Sequence, residues 1–368
     1  MSPFDRTRLD RRHLLTLLGA GLVTSRATSA FAEPADMAQR LAAAEQSGKV
    51  SGLHALLVSK GGKTIFEHYG VGVDERWGEP LGTVTFGPEV MHDLRSVSKS
   101  VVALLYGIAL ADGKVPPPEA KLYAQFPQYP DLAQQPGRDK LTMAHVLSMT
   151  LGFEWDELTV PYGNDPRNSE IAMIIAPDRF RYILSLPIVT EPGTKWIYCG
   201  GATAILGYLI SKGTGMPLLD YARRVLFEPM GFGASDWVVG KDGVPQTASG
   251  LRLLPRDLLK VGQLALAGGA WQGKQLVPAD WVKTITTPSV TIEGARRYGY
   301  QWYIYDTTIN GQRQHWVGGI GWGGQRLYCF PELDLVVAMN CGNYPKPGAE
   351  QGRVNTAVVN EVVFPSLA

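Results

Sequence analysis

The chain has 368 residues, 45% of them hydrophobic and 19% charged, with a net charge of +1, a composition that builds a folded core and excludes intrinsic disorder. Near neutrality leaves no long basic surface for nucleic acid, and no uninterrupted apolar run of about 18 residues supplies a permanent membrane span. Three cysteines are too few for a disulfide framework, and six scattered histidines without Cys-x-x-Cys or His-Glu-x-x-His argue against a zinc site, so no metal and no cofactor is expected.

Residues 1–32 read as an export signal: Arg6, Arg8, Arg11 and Arg12 precede the apolar stretch Leu14 to Val23, and Ala30-Phe31-Ala32 offers small residues for cleavage. Arg11-Arg12 resembles a twin-arginine signal, although an arginine pair before an apolar run also occurs in ordinary secretory signals; the expected location is the periplasm. Pro34 to Ser47 predicts a helix, and Leu53 to Val58 with Thr64 to Tyr69 predict two strands around Lys60-Gly61-Gly62-Lys63. Ser96 to Asp112 predicts a helix that is apolar on several sides, hence buried, and is stopped by Gly113 and Pro116-Pro117-Pro118. From 116 to 244, Pro, Asp and short helical pieces (Met143 to Met149, Pro177 to Leu186, Ala202 to Lys212, Leu218 to Leu226) predict a mainly helical domain.

After it come a helix from Pro255 to Ala267, strands at Tyr298 to Tyr305, Gln314 to Ile320, Gln325 to Phe330 and Leu335 to Asn340, and a final helix near Gln351 to Val362. Folding the last hairpin at Pro331-Glu332-Leu333-Asp334 pairs Cys329 near Val336 and leaves Cys341 several residues away, so no obligatory disulfide is expected, with Cys199 the third thiol. The fold class is α+β: one antiparallel sheet flanked by helices, assembled from residues 33–115 and 245–368, with the mainly helical domain 116–244 inserted and a cleft between the two parts.

The sharpest chemical feature is Ser96-Val97-Ser98-Lys99, which places a hydroxyl and an amine at i and i+3 on one helix face. Chance yields about 0.6 Ser-x-x-Lys matches at this composition, so the pair gains weight mainly because Lys99 interrupts an apolar helix, where an unpaired charge is costly. A lysine stripped of water is neutral near pH 7 and can take the serine proton, and the positive end of the helix lies where an oxyanion would form. No serine has Gly at both i−2 and i+2, which removes the nucleophile elbow of α/β hydrolases. Gly319-Ile320-Gly321-Trp322-Gly323-Gly324 matches the glycine pattern of dinucleotide sites, but no βαβ unit surrounds it; a tight turn that lets a substrate approach the backbone fits better.

Ser96-Val97-Ser98-Lys99, Leu147 to Asp156, Glu191-Pro192-Gly193-Thr194 through Tyr198, Gly250 to Leu258, Gly273 to Pro278, Tyr298-Gly299-Tyr300-Gln301-Trp302 and Gly321-Trp322-Gly323-Gly324-Gln325 occur in this order. Together they resemble the class C β-lactamase-related serine hydrolases, a group with penicillin-binding, esterase and 6-aminohexanoate-dimer-hydrolase-like members. The resemblance covers nearly all of the chain after residue 32. It implies a β-lactamase/transpeptidase-like fold with the active site between sheet and helical parts, Ser96 as acylated nucleophile, Lys99 as its base and Tyr198 as the proton-relaying tyrosine of the second motif. A phenol close to an ammonium has its anionic form favoured, so Tyr198 would share a proton with Lys99. Read without the resemblance, Tyr198 is a packed aromatic in Trp196-Ile197-Tyr198.

Tyr162-Gly163-Asn164 spells the second motif literally but lacks the preceding Pro-Gly-Thr, so Tyr162 is a loop tyrosine that would at most border the cleft. Two departures bear on substrate. At Tyr198-Cys199-Gly200 the family's amide side chain is replaced by Gly200. The third motif reads Gly319-Ile320-Gly321 or, in another register, Trp316-Val317-Gly318, and neither carries the cation that would pair with a penicillin or peptide carboxylate. The resemblance places the oxyanion hole at the backbone N–H groups of Ser96 and Trp322, with Gly321 beside it, while His315 is a strand histidine that would approach the cleft only in the alternative register. The expected activity is that of a carboxylesterase or small-amide hydrolase on a small-molecule substrate. β-Lactam hydrolysis, D-amino-acid peptide hydrolysis and a non-catalytic penicillin-binding-type protein are the alternatives, and the loop from Glu157 to Glu170 decides specificity.

Overall fold

The computed structural model describes residues 34–367, so the export-signal expectation for residues 1–32 lies outside the described residues. β1 (Leu53–Lys60) and β2 (Lys63–Tyr69) form the hairpin expected around Gly61-Gly62. A second hairpin, β3 (Val71–Arg76) and β4 (Glu79–Thr85), follows directly; its Gly, Pro and charged residues had hidden it from hydrophobic patterning. β5 (His92–Asp93), β6 (Ser235–Trp237) and β7 (Leu251–Leu253) make a small sheet with β7 central, and β8 (Ala270–Trp271) pairs with β9 (Lys274–Gln275). β10 (Val290–Glu293), β11 (Arg296–Tyr298), β12 (Tyr303–Ile309), β13 (Gln312–Gly321), β14 (Gln325–Phe330) and β15 (Leu335–Cys341) join β1 and β2 in one antiparallel sheet. Its order is β10-β11-β12-β13-β14-β15-β1-β2.

The central strands are apolar at nearly every position because both faces of the sheet are covered. On β1, Ala55 and Leu57 enter one core while Leu56 and Val58 enter the other; on β15, Val336 and Ala338 alternate in the same way with Leu335, Val337 and Met339. The first core holds the helices Ser98–Ala111 and Pro255–Leu266, and the second is closed by the terminal helices Pro34–Gln46 and Gly348–Ala357. Burying one such Leu or Val contributes about 1.5–3 kcal/mol. Cys329 lies opposite Val336 as the hairpin geometry requires, but it enters the first core and Cys341 the second. Their thiols therefore point to opposite faces of the sheet, out of bonding geometry.

The expected strand from Tyr298 to Tyr305 is interrupted. Between β11 and β12, Gln301 takes a left-handed φ of +63° and its side chain is buried, with Nε2 donating to Leu147 O (2.9 Å) and Oε1 accepting from Thr203 (2.6 Å), while its carbonyl accepts from Ser100 Oγ (3.0 Å). This knot fastens the sheet to the buried helix and to the helix Gly200–Thr214. A further helix, Ser169–Ile175, is capped by Asn168 Oδ1, which accepts from the backbone of Glu170 and Ile171. The Asn-Ser-Glu signal for it was present in the sequence but lay in a loop-like context.

Candidate active site

β5 delivers the chain into a single 3₁₀ turn, Arg95–Val97, from which the helix Ser98–Ala111 continues, so Ser96 sits on the turn ahead of the α-helix rather than within it. Arg95 holds a left-handed φ of +47°, a conformation that costs a non-glycine residue about 1–3 kcal/mol. Ion pairs with Glu75 and with Asp93 (3.2 Å) keep it there. Ser98 Oγ braces the same turn, donating to Arg95 O at 2.6 Å and accepting from Leu251 N at 3.2 Å.

Ser96 Oγ accepts two hydrogen bonds, from Lys99 Nζ at 2.9 Å and from the Tyr198 hydroxyl at 2.6 Å. Ser96 is half-buried, whereas Lys99 is only 2% exposed and Tyr198 is buried. Lys99 Nζ also donates to Ala248 O at 3.0 Å and lies 4.8 Å from the centre of the Tyr198 ring. Burial pulls the Lys99 amine below its ordinary value, with the nearby Glu157 and Glu170 opposing the shift. Burial also pushes the Tyr198 phenol well above its ordinary value, and the charge of Glu157 adds to it. Burial and the two acidic neighbours Glu157 and Glu170 thus favour the neutral phenol at Tyr198, the direction opposite to that expected from a neighbouring ammonium.

Nothing in local sequence marks those acidic neighbours as site residues, although they delimit the loop from Glu157 to Glu170. Glu157 and Glu170 are both buried beneath Gly200. One oxygen of Glu157, Oε2, accepts from Gly200 N at 2.7 Å and from Trp155 Nε1 at 2.8 Å, and the other accepts from the Tyr162 hydroxyl at 3.1 Å. The carboxylate thus sits at the positive end of the helix Gly200–Thr214, a favourable place for an anion. Burial, with Glu157 beside it, raises Glu170 to about 8, so near neutral pH the pair holds a proton between two carboxyl groups. Gly200 makes room for them: a Cβ there would lie 3.1 Å from Glu157 Oε2 and 3.2 Å from Glu170 Oε1. Acid oxygens therefore crowd the space that a side chain at position 200 would enter, which only the three-dimensional neighbourhood exposes.

The opposite wall is the end of β13. A Cβ on Gly319 would come within 2.8 Å of Val97 Cγ1, and one on Gly321 within 2.5 Å of Leu94 O and 3.2 Å of Arg95 Cβ, so these glycines let the strand lie against the turn that carries Ser96. Gly318, from the alternative register, instead abuts Leu327 O of the neighbouring strand. Trp322 follows Gly321 directly, and its ring meets Tyr162 edge-on with centroids 5.5 Å apart. Tyr162 therefore reaches both the carboxyl pair and the β13 wall. His315 lies further back on β13, with Nδ1 3.1 Å from Asp306 Oδ1, in a solvent-facing pair with no part in the Ser96 cluster.

A family model described as Beta-lactamase matches residues 35–360. A 6-aminohexanoate-dimer hydrolase of Paenarthrobacter ureafaciens is 24% identical over 354 residues, which is 90% of this chain and 84% of that protein. Among solved structures, a family VIII carboxylesterase superposes with a TM-score of 0.66 at 16% identity, covering 89% of this chain and 97% of its own. A penicillin-binding protein homologue from Caulobacter crescentus superposes with a TM-score of 0.65 at 16% identity, covering 91% and 98%. With its eight-stranded sheet, its helical part and a family match across nearly the whole described chain, the protein belongs to the beta-lactamase family of serine hydrolases.

Proposed function

We propose that the protein hydrolyses a carboxylic ester or a small amide through an acyl-enzyme on Ser96. The observation that carries this reading is the convergence of Lys99 Nζ and the Tyr198 hydroxyl on the half-buried Ser96 Oγ, at 2.9 and 2.6 Å. In its neutral form, favoured by burial, Lys99 takes the Ser96 proton as Oγ bonds to the substrate carbonyl carbon. Tyr198, a phenol and hence a donor, passes its proton to the departing oxygen or nitrogen and regains one from the Lys99 ammonium. The alcohol or amine leaves, and water then attacks the Ser96 ester by the same relay, releasing the carboxylic acid and restoring Ser96. The backbone N–H groups of Ser96 and Trp322 serve as oxyanion donors in this scheme, a placement supported by the close approach of Gly321 to Leu94 and Arg95.

The substrate class follows from the carboxyl pair. Penicillins and acyl-D-peptides present an amide carbonyl near the side chain of the second motif's last residue; here that place holds Glu157 and Glu170 oxygens, and the third motif offers no cation for a substrate carboxylate. Both features disfavour β-lactams and D-peptides relative to simple esters and small amides. The test is turnover of p-nitrophenyl butyrate, with nitrocefin and a D-alanyl peptide beside it, by the wild type and by Ser96→Ala, both confirmed folded. Equal ester turnover by the two proteins would refute the Ser96 mechanism, and faster nitrocefin than ester turnover would refute the substrate class. Export through the Arg11-Arg12 signal belongs to the same proposal; recovery of the processed chain from the periplasmic fraction tests it. No helix among the described residues is long and apolar enough to cross a membrane.

A further inference from the structure

His54 on β1, Asp74 on β3 and His92 on β5 come from separate strands and meet in a cluster in which each is at most 2% exposed. One donor atom from each lies within 4.8 Å of the other two: His54 Nδ1 is 2.9 Å from His92 Nε2, and His92 Nε2 is 3.5 Å from Asp74 Oδ1. The surroundings fix these donors. His92 Nδ1 is 2.9 Å from Asp93 O, so the N–H sits there and the lone pair of Nε2 points into the cluster, as it does in imidazoles that ligate metals through a carbonyl-anchored ring. Phe86 stacks on the His54 ring at 4.1 Å, and Gly72 and Gly342 leave it room that any Cβ would take, at 2.4 and 2.3 Å from ring atoms. Asp74 Oδ1 accepts from the Tyr344 hydroxyl at 3.3 Å.

A single proton, on His54 Nδ1, satisfies the two imidazoles, yet His92 Nε2 and the Asp74 carboxylate then face each other as two acceptors with no donor between them. Burial makes such a contact costly, and a cation removes the conflict. The positive charges of the neighbouring Arg95 and Arg252 are offset by two carboxylates, since Arg95 pairs with Glu75 and both arginines pair with Asp93 at 3.2 Å. Two imidazole nitrogens and one carboxylate oxygen suit a borderline ion and not the all-oxygen preference of calcium or magnesium. At zinc bond lengths of about 2.0–2.2 Å, tetrahedral ligands lie about 3.3 Å apart, so the imidazole nitrogens at 2.9 Å part by a few tenths of an ångström while the widest pair, within 4.8 Å, closes by up to about 1.5 Å.

We propose that His54, Asp74 and His92 bind one zinc(II) ion. His92 is four residues ahead of Ser96 and β5 leads straight into the Arg95–Val97 turn, so the ion ties β1 and β3 to the strand that delivers the serine. Its role is to hold that strand in place, and the assignment does not depend on which acyl substrate the site takes. These three ligands have no short fixed spacing in the sequence; strand packing brings them together.

The full chain, expressed with zinc in the medium and purified without chelator, is analysed for metal by elemental mass spectrometry beside Asp74→Asn, His92→Gln and Ser96→Ala. The expected result is about one zinc per chain in the wild type and in Ser96→Ala, and below about a tenth in the other two. Stripping the wild type with dipicolinate is expected to lower its Tm by about 5 °C, with recovery on adding zinc sulfate but not magnesium sulfate. Should a ligand variant fail to fold, the wild-type strip-and-restore cycle decides alone. Less than about a tenth of an equivalent in the reloaded wild type, a Tm indifferent to zinc, or a different metal held in its place would overturn the assignment.

Discussion

Replacing Gly321 by Ala tests whether the β13 wall sets the geometry of the serine. Gly321 has φ −127°, which any residue adopts, so the substitution carries no backbone strain and its effect is purely one of space. The new methyl would lie 2.5 Å from Leu94 O, 2.9 Å from Gln325 Cβ and 3.2 Å from Arg95 Cβ. Restoring ordinary contact with the Leu94 carbonyl requires the strand and the turn to part by about 0.9 Å, and neither neighbour is the free end of a flexible side chain. Overpacking of this kind costs about 1–3 kcal/mol of stability. The larger effect falls on Ser96, two residues from Leu94, because a shift near 1 Å in reacting groups lowers rates about 100-fold. We therefore expect Gly321→Ala to remain folded, with a slightly lower denaturant midpoint, and to lose about 100-fold in kcat/KM for p-nitrophenyl butyrate. Gly352→Ala, in the helix Gly348–Ala357 where a Cβ meets nothing within 4 Å, is the control and should be neutral or up to about 1 kcal/mol more stable. Activity of Gly321→Ala within threefold of the wild type would refute the claim that this close approach positions the site.

Lys99→Met and Tyr198→Phe should each lower kcat by about 10²–10⁴ with circular dichroism unchanged, and near-wild-type rates in either would remove that side chain from the proton relay. The raised Glu170 carboxyl predicts a pH dependence of stability: its folded value lies above the unfolded one, so its stabilising contribution is complete below about 4.5 and is lost as the pH rises through about 8. Urea unfolding from pH 4.5 to 9 should show this decline in the wild type and a flatter profile in Glu170→Gln; identical slopes would mean that Glu170 is not held protonated. Gly107→Ala drives a methyl to within 1.9 Å of the Trp281 ring, whose Nε1 donates to Ala103 O at 2.8 Å, so a loss of about 1–3 kcal/mol is expected in equilibrium unfolding, and an unchanged midpoint would contradict the packing.

Much of the architecture was legible in the chain itself. The apolar runs of β1, β14 and β15 are continuous because both their faces are covered, and the Gly61-Gly62 and Pro331–Asp334 turns set their pairing, so register followed from local chemistry. Ser96 and Lys99 were visible together because one helical turn joins them, and Tyr198 through its motif. What the chain could not show is everything that depends on non-local neighbours. The β3–β4 hairpin has no hydrophobic alternation to betray it, since Val71 and Val73 face solvent. The strand expected from Tyr298 to Tyr305 breaks where Gln301 makes five hydrogen bonds to distant segments in place of a ladder position. The direction in which the Tyr198 phenol shifts is hidden in the chain for the same reason: it follows from desolvation and from Glu157, 41 positions away. Spacing along a helix is a property of sequence, but burial and the company a charge keeps arise only when distant segments pack. For that reason the Ser96–Lys99 pair could be read from the residues, whereas the acid pair beneath Gly200 and the cluster of His54, Asp74 and His92 emerged only from the fold.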